Sequence, residues 1–339
     1  MNDQQTNLKI INSVLHILDN SVQIPVLSTK SMESKDEIYS FLEAHILKVM
    51  TSDDIRIGAF NDLENNIVYN CTKEITKDSF IETSVDLANL LFDIMKKNPN
   101  IPPADIIFTY YEFDNNTYLA IMKFNYKLSY IHFVLNTDEG TVNNLIRQTT
   151  TLPNENQKLE ECVLINLTTA EIKLLEKEYE INENKDYYLS KQFLNCNFDL
   201  SNNEKFKIIN KVTKKVNKKY FDDDFDKTMK FQNVLSDSIK ETDSIEIESI
   251  AKKVFKDNYE IQHEFINEIK KEGLNTNIDI QQSKRITKKL ESHKFKTDNG
   301  IEINLPLAYY NNKDLVEFIN NPDGTISIII KNINKIINK

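Results

Sequence analysis

The chain has 339 residues and a formal net charge of −10 at neutral pH, with 40% hydrophobic and 28% charged residues. This balance is typical of a globular protein and argues against a disordered one. Its apolar runs fall short of the roughly 20 residues that cross a bilayer, and the N-terminal MNDQQTNLKI lacks the basic and apolar regions of a signal peptide. We therefore expect a cytoplasmic protein.

Three cysteines, Cys71, Cys162 and Cys196, lie far apart without any CxxC pair. An odd and scattered set suits a reducing compartment. It argues against a disulfide framework and against a zinc ribbon.

Helix starts are marked by S-x-x-E capping boxes, in which the two side chains satisfy free backbone N–H groups. These boxes pair Ser34 with Glu37, Ser79 with Glu82, and Ser201 with Glu204. The first two precede apolar residues at helical spacing, so we expect two amphipathic helices packed against a sheet.

Strand patterns fill much of the front half. DIIFTYYEF and TYLAIMKFNY flank Asp114-Asn115-Asn116 and predict a hairpin, which LSYIHFVLN would continue. LKIINSVLHIL and VQIPVL are expected to pair at the front of the same sheet, and ECVLINLT and KDYYLSKQFL are further strand candidates. Residues 1–198 are thus predicted to form an α+β domain with a largely antiparallel sheet.

Residues 199–339 are expected to form a lysine-rich helical domain, with an approximate boundary. Its predicted helices are 204–220, 228–240, 245–256 and 259–272, the last ended by Gly273. Asn299-Gly300 and Asp323-Gly324 each separate two strand-like runs and predict terminal hairpins with type I′ turns.

Charge is distributed unevenly between these halves. Residues 1–198 carry 17 basic and 29 acidic side chains, a net of −12, whereas residues 199–339 carry 25 and 23, a net of +2. Any contact with a polyanion is therefore expected in the C-terminal half.

No catalytic or metal-binding constellation stands out in the sequence. His263-Glu264 resembles the start of a metalloprotease motif, but the second histidine one turn later is replaced by Asn267. His45 continues an apolar helix stripe, and His16 and His132 alternate within strands, so all three are expected in the core.

A metal-dependent nuclease is an alternative, although an unfavoured one. Asp105, Glu112 and Lys123 lie on neighbouring predicted strands, and Glu171-Ile172-Lys173 has the short spacing of Mg²⁺-binding carboxylates in DNA-processing enzymes. Such combinations arise by chance in an acidic chain. We expect neither group to bind a metal.

Lysines follow one face of the helix predicted at 204–220. Lys207, Lys211, Lys214 and Lys218 fall within about 60° of one another, opposite an apolar face. A second cluster contains Lys284, Arg285, Lys288 and Lys289. Regularly spaced cations can follow phosphates and gain affinity by counterion release, although a soluble helix face would look the same.

Arginine is scarce, since the chain has only Arg56, Arg147 and Arg285. Arginine is the usual bidentate reader of guanine. Binding to DNA would therefore be largely independent of sequence.

Several stretches together resemble the bacterial nucleoid-associated protein family. They are LKIINSVLHIL with His16, the helix ending FLEAHILKVM, DSFIETSVDLANLLFDIMKKNPNIPPADIIF, TYLAIMKFNY, and the closing HKFKTDNGIEINLPLAYYNNKDLVEFINNPDGTISIIIKNI. The similarity spans essentially the whole chain, and the closing segment is its most specific part. It implies a cytoplasmic, DNA-associated protein of the nucleoid that is not an enzyme and needs no cofactor.

The leading hypothesis is a homodimer that binds duplex DNA non-specifically through its C-terminal half. The acidic net charge and scarce arginine keep a rival open, in which the protein recruits or regulates a DNA-processing or defence partner. The nuclease is the third hypothesis.

Overall fold

The computed structural model describes residues 7–33, 35–242, 244–280, 288, 290–310 and 312–335. The chain divides into two compact units, residues 1–201 and 202–339. The first unit combines a large antiparallel sheet with helices, and the second is mainly helical with hairpins near its C-terminal end. The expected α+β class is confirmed. That each unit is an independent domain stays a prediction.

The first unit contains eleven described strands and three described α-helices. The strands are β1 (Lys9–Leu18), β2 (Arg56–Phe60), β3 (Ala104–Phe113), β4 (Asn116–Asn125), β5 (Lys127–Thr137), β6 (Gly140–Thr151), β7 (Glu161–Asn166), β8 (Ile172–Leu175), β9 (Tyr179–Ile181), β10 (Asn184–Asp186) and β11 (Cys196–Phe198). The helices are α1 (Asp36–Met50), α2 (Ile67–Thr72) and α3 (Phe80–Lys97).

Seven strands form the main sheet in the order β1-β3-β4-β7-β8-β2-β11, with every neighbouring pair antiparallel. Because side chains alternate between the faces of a strand, β3 contributes to two cores. Phe108 lies in the core that contains Leu91 of α3, whereas Ile107 lies in the core that contains Leu42 of α1. The two amphipathic helices therefore cover opposite faces of the sheet.

The hairpin predicted around Asp114 is confirmed. Phe113 pairs with Asn116, and the two loop residues Asp114 and Asn115 both have positive φ, as a type I′ turn requires. On its other side β4 pairs with β7, whose six residues are all buried.

The prediction that LSYIHFVLN continues this sheet is wrong. These residues lie in β5, which pairs with β6 in a separate two-stranded sheet. The strand that pairs with β4 is instead β7. Because β7 is apolar on both faces, it buries more apolar surface in the interior of the sheet than β5 would. We call residues 127–151 the arm. His132 lies in the arm and is exposed, so its expected place in the core is also wrong.

VQIPVL was expected to form a strand beside β1, but β1 pairs with β3. Only Ile17 and Val26 form an isolated bridge, with N–O distances of 2.9 and 3.0 Å. Pro25 has no N–H to donate to a longer ladder. KDYYLSKQFL is not a continuous strand either, since β10 ends at Asp186 and Leu189–Phe193 forms a π-helical turn.

The predicted helix starts are close to the observed ones, but the cap of α3 differs from the expectation. α3 begins directly after Ser79, whose side chain does not cap the helix. Instead, Thr76 N donates to Ser79 Oγ at 2.9 Å and Ser79 N donates to Thr76 Oγ1 at 3.2 Å. The reciprocal box therefore lies one turn earlier. Ser34, the predicted cap of α1, lies outside the described residues.

The second unit contains α4 (Asn202–Phe221), α5 (Phe225–Thr242), α6 (Ile247–Phe255), α7 (Tyr259–Lys271) and the short α8 (Leu307–Tyr310). Its strands are β12 (Ser244–Glu246), β13 (Asn277–Asp279), β14 (Ser292–Lys296), β15 (Glu302–Pro306), β16 (Val316–Asn320) and β17 (Ile326–Ile330). The four longer helices match the predicted ones to within a few residues. Gly273, with φ of +89°, follows α7 as expected.

Both predicted terminal hairpins are present, as β14–β15 and β16–β17. Their loops are longer than the predicted two-residue type I′ turns. Thr297 N donates to Ile301 O, and Asn321 N donates to Thr325 O, so that each loop has three residues. Within these loops only Gly300 and Gly324 have positive φ, the pattern of a type I turn followed by a glycine.

Candidate nucleic-acid interface

Helix α4 holds the first predicted lysine group on a rigid element. Phe206, Ile209, Val212 and Val216 are buried at helical spacing, which fixes the rotation of the helix. Lys207, Lys211, Lys214 and Lys218 are consequently all exposed. We call these four residues the lysine face.

One edge of the lysine face is paired with α7. Lys211 Nζ lies 2.8 Å from both carboxylate oxygens of Glu272. Its neighbours on α4 continue the pattern, since Lys215 pairs with Glu268 and Lys219 lies 2.7 Å from Glu264. Lysines spaced by four residues along α4 thus pair, in reverse order, with glutamates spaced by four residues on α7 and at its C-cap, Glu272. We call these three pairs the lysine–glutamate ladder.

The ladder changes the electrostatics of the two helices. Lys215 and Lys271 hold the pKa of Glu268 down at about 2, and Lys219 and Tyr220 lower the pKa of Glu264. Both glutamates are therefore ionised at neutral pH. Lys211, Lys215 and Lys219 have their charge neutralised locally, so that Lys211 could bind a phosphate only in exchange for Glu272.

The rest of the lysine face is less engaged. Among the described residues, Lys207 and Lys218 have no ion-pair or hydrogen-bond partner for their side chains. Lys214 lies near His293 of β14, where burial and the lysine charge together lower the pKa of the imidazole. These three cations remain available for an external anion.

The second lysine cluster falls mostly outside the described residues. This applies to Lys284, Arg285 and Lys289, whereas Lys288 is described and exposed. The following strand β14 carries Lys294 and Lys296, also exposed, and Lys296 lies 3.7 Å from Glu302.

The arginines in the described part of the chain do not form a surface that could recognise bases in a DNA groove. Arg56 is held by Glu176 at 3.0 Å and by the hydroxyl of Tyr187 at 3.1 Å. Arg147 is exposed in the arm of the acidic unit. Arg285 lies outside the described residues.

The nuclease candidates are not brought together. Asp105 and Glu112 lie near opposite ends of β3, roughly 20 Å apart at the rise of a strand. Lys123 is buried and paired with Glu161, and Asp105 accepts a hydrogen bond from the hydroxyl of Tyr126. No group of three or more metal-binding side chains occurs among the described residues.

The other chemical candidates are accounted for by local contacts. Lys173 forms a long ion pair with Glu171 at 3.9 Å. On α7, Asn267 Nδ2 lies 2.9 Å from His263 Nδ1, and Glu264 belongs to the ladder. The expectation that His16 and His45 are core residues is confirmed, since both are completely buried.

Sequence reasoning missed the glutamates that oppose α4. Their signal was present, because Glu264, Glu268 and Glu272 are spaced by four residues on the helix predicted at 259–272. Matching the spacing of the α4 lysines to the spacing of the acids on the helix predicted at 259–272 would have suggested the ladder.

Comparison with known families gives one result for nearly the whole chain. The model of the family described as nucleoid-associated protein YejK matches residues 14–338. No curated protein matches the chain. In the part of the chain that the structure describes, no helix is long and apolar enough to span a membrane.

Proposed function

This chain belongs to the nucleoid-associated protein YejK family, and on that premise we propose that it binds duplex DNA without sequence preference through its C-terminal half. Membership confirms the resemblance noted in the sequence and supports a role at the nucleoid. In this proposal the protein acts in the cytoplasm as a homodimer and catalyses no reaction.

One observation carries the proposal. Lys207, Lys214 and Lys218 form an exposed row on α4, and the glutamates of the ladder neutralise only the lysines along one edge of this row. Cations in such a row gain affinity for a phosphate backbone by releasing condensed counterions. The other predicted contacts, Lys211, Lys284, Arg285, Lys288 and Lys289, stay part of the proposal, with Lys211 contributing only when it leaves Glu272.

The proposed binding does not depend on DNA sequence, because of the types of residue that would make the contacts. The predicted contacts are lysines apart from Arg285, and a lysine is a point charge without the planar fork that recognises guanine. Affinity should therefore depend strongly on salt and weakly on sequence.

The test is fluorescence anisotropy on two unrelated duplexes over a series of salt concentrations. The triple variant Lys207→Gln, Lys214→Gln, Lys218→Gln should weaken binding equally for both duplexes. Its slope of log K against log salt should fall by roughly 0.9 for each phosphate that no longer meets a lysine. A matched control replaces Lys252, Lys253 and Lys270 by glutamine, which removes the same charge from other exposed positions of this unit.

Equal weakening by both triple variants would mean that only net charge matters, and unchanged binding by the first would remove the lysine face from the proposal. Wild-type protein that fails to bind DNA at low salt would favour the alternative, recruitment of a DNA-processing or defence partner. The observation that favours this alternative is the ladder, because it neutralises several of the α4 lysines. Mg²⁺-dependent degradation of a plasmid would instead revive the nuclease.

A further inference from the structure

The arm, residues 127–151, exposes apolar side chains along nearly its entire length. β5 and β6 pair only with each other, from Lys127–Thr151 to Thr137–Gly140. Nine large hydrophobic residues of the two strands are more than a third exposed, among them Tyr130, Phe133 and Leu145. No other strand of the first unit has a comparable surface among the described residues.

Cross-strand pairing sorts these side chains onto two faces. Ile131 lies opposite Ile146, Phe133 lies opposite Asn144, and Leu135 lies opposite Val142. Side chains of directly opposed residues project to the same face. We call Ile131, Phe133, Leu135, Val142 and Ile146 the arm face. The opposite face is more polar, because His132, Asn143 and Arg147 interrupt its apolar residues.

A two-stranded ribbon of this kind is marginally stable in water unless something packs on it. The arm face residues are 39–53% exposed, which corresponds to roughly 400 Å² of apolar surface, as large as patches that mark interaction sites. A little more than half of the area of a typical interface is apolar, so an interface built around this patch would bury about 700 Å² on each partner. A standard interface takes about 800 Å² from each partner.

Charges along the arm indicate what the partner is. Asp138 and Glu139 form its tip, whereas Lys127 lies at its root and Arg147 near it. Two arms that pack antiparallel about a two-fold axis would place the acidic tip of each beside the basic root of the other. A surface that is complementary to itself in this way suits an isologous contact.

We propose that the arm joins two copies of this chain, with the arm face of one packed antiparallel on the arm face of the other. The contact presupposes the homodimer proposed above but does not depend on DNA binding. Duplex DNA is disfavoured as the occupant of the arm, because its backbone would be repelled by the acidic tip.

Sedimentation velocity of the full-length protein without DNA tests this contact. Wild type should sediment at twice the chain mass of 39.6 kDa, and Phe133→Glu should sediment as a monomer. Val134→Glu is the matched control, since Val134 is its neighbour on the opposite face with nearly the same exposure, 47% against 44%. It should remain dimeric. Circular dichroism of both variants verifies that the fold is retained.

A charge exchange gives a second test that does not place a charge in an apolar contact. Asp138→Lys with Glu139→Lys, and separately Lys127→Glu with Arg147→Glu, should each raise the dimer dissociation constant at least about tenfold through like-charge contacts. Mixing the two variants should restore a dimer, because each altered tip then meets a root of opposite charge.

A monomeric wild type at all concentrations would overturn the proposal, as would a dimer that persists in Phe133→Glu and in both charge variants. If Phe133→Glu stayed dimeric but lost DNA binding, the arm would be a DNA contact instead. A monomeric Phe133→Glu that still binds DNA would support the arm contact and leave the lysine face as a separate question.

Discussion

Lys123 Nζ lies 2.8 Å from Glu161 Oε2 inside the sheet, and the two side chains are only 3% and 0% exposed. Burial opposes ionisation of Glu161, but Lys123 and the hydroxyls of Tyr188 and Tyr179 hold its pKa below the usual range. Asn125 donates to the same carboxylate at 2.8 Å. The pair is a structural element of the β4–β7 junction.

Replacing one partner should therefore be costly. Lys123→Met leaves the carboxylate of Glu161 buried without its cation, which typically costs about 3–5 kcal/mol. Urea unfolding followed by circular dichroism measures this loss. The double variant Lys123→Met, Glu161→Met should recover much of it, and a double variant no more stable than the single one would show that the network has no charge-pair component.

Stability should also depend on His16. Its ring is fixed in one neutral form, because Nδ1 accepts from Ser28 N at 3.1 Å and Nε2 lies 3.0 Å from Ser84 Oγ. Burial lowers the pKa of His16 to about 4 from about 6.5 in the unfolded chain. Between these pH values the imidazole is protonated in the unfolded chain but neutral in the folded one. The contribution of His16 to the free energy of unfolding is therefore fully present above pH 6.5 and is lost as the pH falls towards 4.

Thermal melts at a series of pH values in that window should show the effect. Subtracting the profile of His16→Gln removes the contribution of other titrating groups. A difference that does not change between pH 6.5 and 4 would contradict the role of His16.

Gly58 should not tolerate a side chain. A Cβ added there would lie 2.3 Å from the carbonyl oxygen of Asn197 and 2.4 Å from the ring of Phe198, on the neighbouring strand β11. We expect Gly58→Ala to destabilise the protein by about 1–3 kcal/mol, the usual effect of overpacking. Ala59→Ser, at an exposed neighbouring position, should change the urea midpoint much less.

The lysine–glutamate ladder predicts a salt-sensitive charge exchange. Lys215→Glu places like charges opposite Glu268 and should lower the melting temperature, while adding Glu268→Lys should restore most of it. The difference should shrink at high salt because exposed charges are screened. Equal melting temperatures for all three proteins would mean that the ladder adds nothing to the packing of α4 on α7.

Much of the fold was predictable where one local signal dominated. Asp114-Asn115 supports positive φ at both turn positions, and the stripe from Phe206 to Val216 fixed the buried face of α4. Prediction failed where strand pairing or ion pairing depends on residues that are distant in the sequence. Nothing near LSYIHFVLN indicates that β7 takes the edge of β4, and a lysine at position 211 looks the same with or without Glu272 opposite it.

The edge strand β11 of the main sheet lies beside β2, so that Phe60 pairs with Cys196, which follows it 136 residues later in the chain. During synthesis, β2 leaves the ribosome long before either of its partners, β8 and β11, has been made. The sheet must wait for the last residues of the unit before its edge is closed, which makes long-range closure a late and slow event in folding. Until then a chaperone that covers an unpaired strand has its best opportunity to act.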